Sequence, residues 1–64
     1  MKINRKKLEI CMARAQLNRD TLAQKAEMPC TSFYNVCSRC SCRPATAGRI
    51  AAALGVDVTE ILED

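Results

Sequence analysis

The sequence predicts a compact all-α domain of five short helices. Three observations carry that expectation. Apolar residues recur at helical spacing along nearly the whole chain, and no stretch alternates as a half-buried strand would. Asparagine, proline and glycine punctuate the pattern at short intervals, at Asn4, Asn18, Pro29, Pro44 and Gly55, where helices begin or stop. The chain has 64 residues, enough for one small core that hides about 60% of the unfolded surface and not for a second domain.

The first helix is expected over Arg5–Ala15, with Asn4 as its cap. Leu8, Cys11, Met12 and Ala15 fall at i, i+3, i+4 and i+7 and form its buried stripe. Cys11 reads there as a small core hydrophobe. The second helix is expected over residues 19–26. Asn18 caps it, Asp20 suits its positive N-terminal end, and Leu17 is placed to staple onto Leu22. Leu22, Ala23 and Ala26 make its inner face.

A break at Glu27 and Met28 precedes a third helix, from Pro29 to Val36 or Cys37. Pro29 suits a first turn because its missing N–H has no helical partner there. Phe33 and Val36 face the core with Met28, which leaves Cys30, Thr31, Ser32, Tyr34 and Asn35 for other faces. Residues 38–43 lack periodicity and read as a loop.

The fourth helix is expected over Pro44–Leu54, with Ala47, Ile50, Ala51 and Leu54 inward. Gly48 inside it costs about 1 kcal/mol relative to Ala, which a close helix–helix approach at that point would explain. Gly55 is a natural stop. Asp57 and Glu60 have the spacing of a capping box for a fifth helix, from Val58 to about residue 63, with Val58, Ile61 and Leu62 inward.

Charge is distributed unevenly. Residues 1–49 carry ten Lys/Arg against Glu9, Asp20 and Glu27, or +7, while residues 50–64 carry four acids and no base, or −4. A basic face for a polyanion, with an acidic end turned away, fits this asymmetry; so does an ordinary solvated surface. The basic N-terminus (Lys2, Arg5, Lys6, Lys7) is not followed by the apolar run of a secretory signal, and no stretch can span a membrane. The expected location is the cytoplasm. The five cysteines are then reduced thiols, and an odd number does not suit a closed disulfide framework.

Residues 17–36 (LNRDTLAQKAEMPCTSFYNV) resemble the helix-turn-helix of the phage-repressor, Cro-like (XRE) family, with Leu22, Ala23, Ala26, Met28, Phe33 and Val36 at the family's packing positions. Residues 50–62 (IAAALGVDVTEIL) look like that family's fourth and fifth helices. The resemblance covers nearly the whole chain. It implies a lambda-repressor-like DNA-binding domain with a helix-turn-helix at helices 2 and 3. Helix 3 would then enter the major groove, and helix 2 would lie across the backbone. Two positions depart from the family. Glu27 stands where glycine is common, so a positive φ there would store strain, and Pro29 stands near the usual small polar cap.

The resemblance places Cys30, Thr31, Ser32, Tyr34 and Asn35 at the groove. Asn35 can donate and accept at once, as adenine N6 and N7 require. Thr31 and Ser32 can bond bases or phosphates, or satisfy the backbone at the start of helix 3. Tyr34 can reach a phosphate or a sugar, or lie partly buried beside Phe33. Cys30 can at most touch a thymine methyl. Arg19 looks like the family's backbone-clamping position, and Arg39 and Arg43 are phosphate candidates, Arg43 also for a narrow minor groove. The cluster at residues 2–7 serves either non-specific attraction or solubility.

Cys30, Cys37, Cys40 and Cys42 form the unusual feature. Cys37 and Cys40 have CxxC spacing, but Cys40 and Cys42 are only two apart, unlike the paired CxxC of structural zinc sites. Zinc ligation, a reversible thiol switch and plain free thiols remain three readings.

The expected function is a sequence-specific double-stranded DNA-binding regulator, a bacterial or phage transcriptional repressor acting by promoter occlusion. A single copy buries little surface, so tight binding calls for a homodimer on a two-fold operator, with helix 5 and the end of helix 4 as its surface. Two other classes fit the same residues: a protein-interaction module, such as an antitoxin-like or phage accessory protein, and a metal- or redox-responsive regulator. An enzyme is not expected. The chain has no His, no phosphate-binding glycine loop and no placed nucleophile–base pair. No cofactor, membrane partner or small-molecule substrate is expected either.

Overall fold

The computed structural model describes residues 1–63. They form an all-helical molecule: α1 (Arg5–Ala15), α2 (Arg19–Lys25), α3 (Cys30–Arg39) and α4 (Pro44–Leu54), followed by a single 3-10 turn over Val58–Glu60. The expected fifth α-helix is therefore one turn of 3-10 helix. The capping box drawn for it does not form, because the Asp57 carboxylate bonds two residues on, to the Thr59 amide and hydroxyl, both at 3.0 Å.

Each α-helix begins where local chemistry provides for it. Asn4 Oδ1 accepts from the Lys7 amide at 3.0 Å. Asn18 makes a reciprocal box with Thr21: its Oδ1 accepts from the Thr21 amide at 2.8 Å, while Thr21 Oγ1 accepts from the Asn18 amide at 2.9 Å. α3 and α4 have no side-chain cap; Pro29 and Arg43 precede them in extended conformation. Pro29 thus lies one residue outside the helix it was expected to open.

The helix ends share a device that the sequence disguises. At the ends of α1, α2 and α4 one residue turns left-handed, and the next amide reaches back five residues: Leu17 to Met12, Met28 to Ala23, and Val56 to Ala51, each at 3.0 Å. Only α4 uses glycine for the turn, Gly55 at φ +72. α1 uses Gln16 (φ 57) and α2 uses Glu27 (φ 58). α3 also ends on a left-handed residue, Cys40 at φ 54. That helix runs through Arg39, its two polar last residues notwithstanding, so the expected loop is shortened to residues 40–43.

The core gathers around Phe33, Leu8, Leu22, Ile50 and Ile61, each essentially without exposed surface. Burying each such side chain is worth about 1.5–3 kcal/mol. Ala23 and Ala47 are also fully covered, and their small size lets α2 pack on both α3 and α4. Two details of the expected pattern change. Ala15 is exposed rather than part of the α1 stripe, which narrows to Leu8 and Cys11 with Met12 half-buried. Gly48 is exposed, and a Cβ built on it would meet nothing within 4 Å, so no close approach calls for it.

The N-terminal segment closes the molecule. Lys2 bridges Ser41 and Ile3 bridges Leu62, both antiparallel. The Ile3 amide donates to the Cys40 carbonyl at 2.8 Å, Asn4 to Ile61 at 2.9 Å, and Glu63 to Lys2 at 3.0 Å. Ile3 is buried among the core residues. Lys7 Nζ adds a bond to the Leu62 carbonyl at 3.4 Å.

Candidate nucleic-acid interface

α3 is divided sharply between two sides. Phe33, Val36 and Cys37 are buried. Cys30, Thr31, Ser32, Tyr34, Asn35, Ser38 and Arg39 are all exposed. Helical spacing sorts six of these seven into two adjoining rows, Thr31–Tyr34–Ser38 and Ser32–Asn35–Arg39, and leaves Cys30 outside both. The structure therefore brings Thr31, Ser32, Tyr34 and Asn35 onto one continuous polar face, with Cys30 exposed beside it. It adds Ser38, which the sequence hid in a loop because neither it nor Arg39 carries the apolar period. The apolar anchor on the opposite side, led by Phe33, fixes which face looks outward.

α2 meets this face at its N-terminus. The Tyr34 hydroxyl donates to Asp20 Oδ1 at 2.8 Å, and the Arg19 guanidinium carbon stands 5.9 Å from the centre of the Tyr34 ring. Arg19, Asp20 and Tyr34 thus form one exposed cluster spanning the two helices. The Tyr34 phenol is held above its ordinary value of 10.0, first by the hydrogen bond to Asp20 and then by the carboxylate charge. Tyr34 is 43% exposed, so it lies on the surface instead of folding in beside Phe33.

The first turn of α3 offers backbone amides with no side chain capping them. Thr31 and Ser32 do not serve as caps. The other two candidate arginines lie outside α2. Arg39 ends α3, about 13 Å along its axis from Cys30 at 1.5 Å per residue. Arg43 is exposed at the entry to α4. Arg39 thus belongs to the polar face of α3, Arg19 to the start of α2 and Arg43 to the entry of α4.

The cysteines do not assemble. Among the described residues no three Cys, Asp or Glu side chains are grouped as metal ligands. Cys30 is exposed, Cys37 buried, and Cys40 and Cys42 half-buried. Cys30 and Cys37 are separated by about 10 Å of helix rise, whereas thiolates sharing one zinc each lie about 2.3 Å from it. Burial pushes the Cys37 and Cys42 thiols up from their ordinary value, which favours their protonated form. Cys40 Sγ turns back to the Cys37 carbonyl at 3.4 Å.

No helix among the described residues is long and apolar enough to cross a membrane. No family model, curated protein or solved structure matches the chain.

Proposed function

We propose that this protein is a sequence-specific double-stranded DNA-binding regulator of the phage-repressor-like kind, with α2 and α3 as its helix-turn-helix. The observation that carries this reading is the division of α3. One side is locked into the core, and the other presents Thr31, Ser32, Tyr34, Asn35 and Ser38 with nothing apolar among them but the tyrosine ring. A single α-helix fits the major groove of B-DNA, and small polar side chains near its N-terminal end can meet base edges there. The link between the helices supports the reading: Glu27 takes the left-handed φ that glycine commonly supplies at this turn in the family the chain resembles.

In this mechanism α3 reads bases through Asn35, Thr31, Ser32 and Ser38. Arg19, Arg39 and Arg43 neutralise phosphates and set the register. Binding to a promoter then excludes other proteins from it. A homodimer on a two-fold operator supplies the affinity that one copy lacks.

A binding titration tests this. Selection from a random duplex library should return a defined sequence. Affinity for it should fall with salt at a log–log slope of roughly −3 per protomer, as three phosphate contacts would give. Asn35→Ala should lose about 1–3 kcal/mol of discrimination at one base pair. Absent or sequence-blind binding at moderate salt would sink the proposal.

A further inference from the structure

The Tyr34–Asp20 pair has a fixed acceptor polarity that the hydroxyl and amide side chains around it lack. A phenol carries one proton and two acceptor positions. At Tyr34 that proton is committed to Asp20 Oδ1, 2.8 Å away on α2. What the hydroxyl turns outward is therefore acceptor only. An ionised carboxylate is acceptor only as well. Around the pair, Thr31, Ser32 and Ser38 carry hydroxyls that rotate to donate or accept, and Asn35 offers both at once. Arg19 lies beside the ring, so the pair is held from two directions.

We infer that Tyr34, oriented by Asp20, selects a base bearing an exocyclic amine: adenine through N6 or cytosine through N4. This deepens the DNA-binding reading and rests on it. The major-groove edges divide cleanly on this point. Adenine N6 and cytosine N4 donate, while guanine O6 and N7 and thymine O4 accept. An acceptor-only patch bonds the first two and faces the others lone pair to lone pair. It also disfavours phosphate, which has nothing to donate. Tyr34 is thus a base-reading residue and not a backbone contact, and Asp20 is the positioning residue that makes it so. The hydrogen bond holds the phenol proton more firmly than in a free tyrosine, so this polarity persists across the neutral range.

The test compares wild type, Tyr34→Phe and Asp20→Ala by selection from a random duplex library, with thermal melts to verify folding. Wild type should restrict one position to adenine or cytosine on one strand, by roughly tenfold over thymine or guanine. Tyr34→Phe should lose that preference and keep the rest of the motif. Asp20→Ala frees the proton; it should admit thymine and guanine at that position and return the phenol titration, read by ultraviolet absorbance, toward 10. A measurement on unaltered protein guards against folding defects. Replacing the selected adenine by purine, which lacks the amine, should weaken wild-type binding by roughly tenfold. If Tyr34→Phe selects the same bases as wild type at every position, or the purine duplex binds unchanged, the inference is overturned while DNA binding stands. If wild type selects no sequence at all, both fall.

Discussion

Gly48 and Gly55 occupy one helix and its end, and the structure asks opposite things of them. Gly55 sits at φ +72, where a side chain is strained whatever the space around it. Gly48 is helical and exposed, with nothing within 4 Å of an added Cβ. Gly48→Ala should therefore stabilise the protein by about 1 kcal/mol, and Gly55→Ala should destabilise it by about as much. Urea unfolding of the two variants beside wild type checks both signs. Sequence reasoning saw Gly55 correctly, since a glycine after an apolar stripe is a stop signal. It placed Gly48 inside the helix but not its surroundings, because composition alone cannot tell a glycine that admits a neighbour from one that admits nothing. Glu27 was legible from the other direction. Only the resemblance, in a family where glycine is common at this turn, raised the question of a positive φ there, and the structure gives 58°.

At the scale of elements, the helices that sequence reasoning bounded well are those with both a cap and a period. α1 and α4 match residue for residue, because Asn4, Pro44 and Gly55 mark their ends. α3 was cut short because its last turn, Ser38 and Arg39, is polar and exposed, and its stop is a left-handed cysteine that no rule marks. α2 is only seven residues long, too short to persist alone, so its start is the more dependent on the Asn18–Thr21 box. Asn18→Ala should cost about 1 kcal/mol. Hydrogen exchange should place the loss in the first turn of α2, with α4 protection changed only by the global loss. A uniform loss with no excess at residues 19–22 would show that the box has no local role. Most of the candidate interface was legible for the same reason as the helices: burial of every third or fourth residue of α3 leaves the rest outside. The Asp20–Tyr34 contact was not, because it joins residues on two helices whose crossing no pattern of spacing determines.

At the scale of the whole molecule, the titrating groups with resolved upward shifts point one way. Tyr34, Cys37 and Cys42 all have pKa values raised above their ordinary 10.0, 9.0 and 9.0, Tyr34 by Asp20 and the cysteines by burial. A group raised in the folded state contributes stability that is complete below its unfolded pKa and is lost as pH rises through the folded one. Stability should therefore be level through the neutral range and fall above about pH 9, when the thiols and then the phenol must ionise. Thermal melts from pH 7 to 11 under reductant measure this, and Cys37→Ala should delay the onset. A melting temperature that does not fall by pH 11 would contradict it. The largest feature hidden from the sequence also belongs to this scale. The seam of Lys2 and Ile3 with Ser41 and Leu62 is made of backbone bonds between distant segments, and two isolated bridges leave no alternating pattern to read.

That seam has a consequence in time. Residues 2 and 3 have partners at two sequence distances, at 40 and 41 and at 61 to 63, and synthesis supplies the nearer set before α4 and the farther set after it. The bonds to 40 and 41 can form once α3 has emerged, whereas those to 61–63 wait for α4 and the 3-10 turn. Closing a ring of nearly the full chain length is entropically the most demanding contact in the molecule. A nascent chain halted before Ile61 therefore holds its helices with the Cys40–Ser41 half of the seam within reach and the other half open.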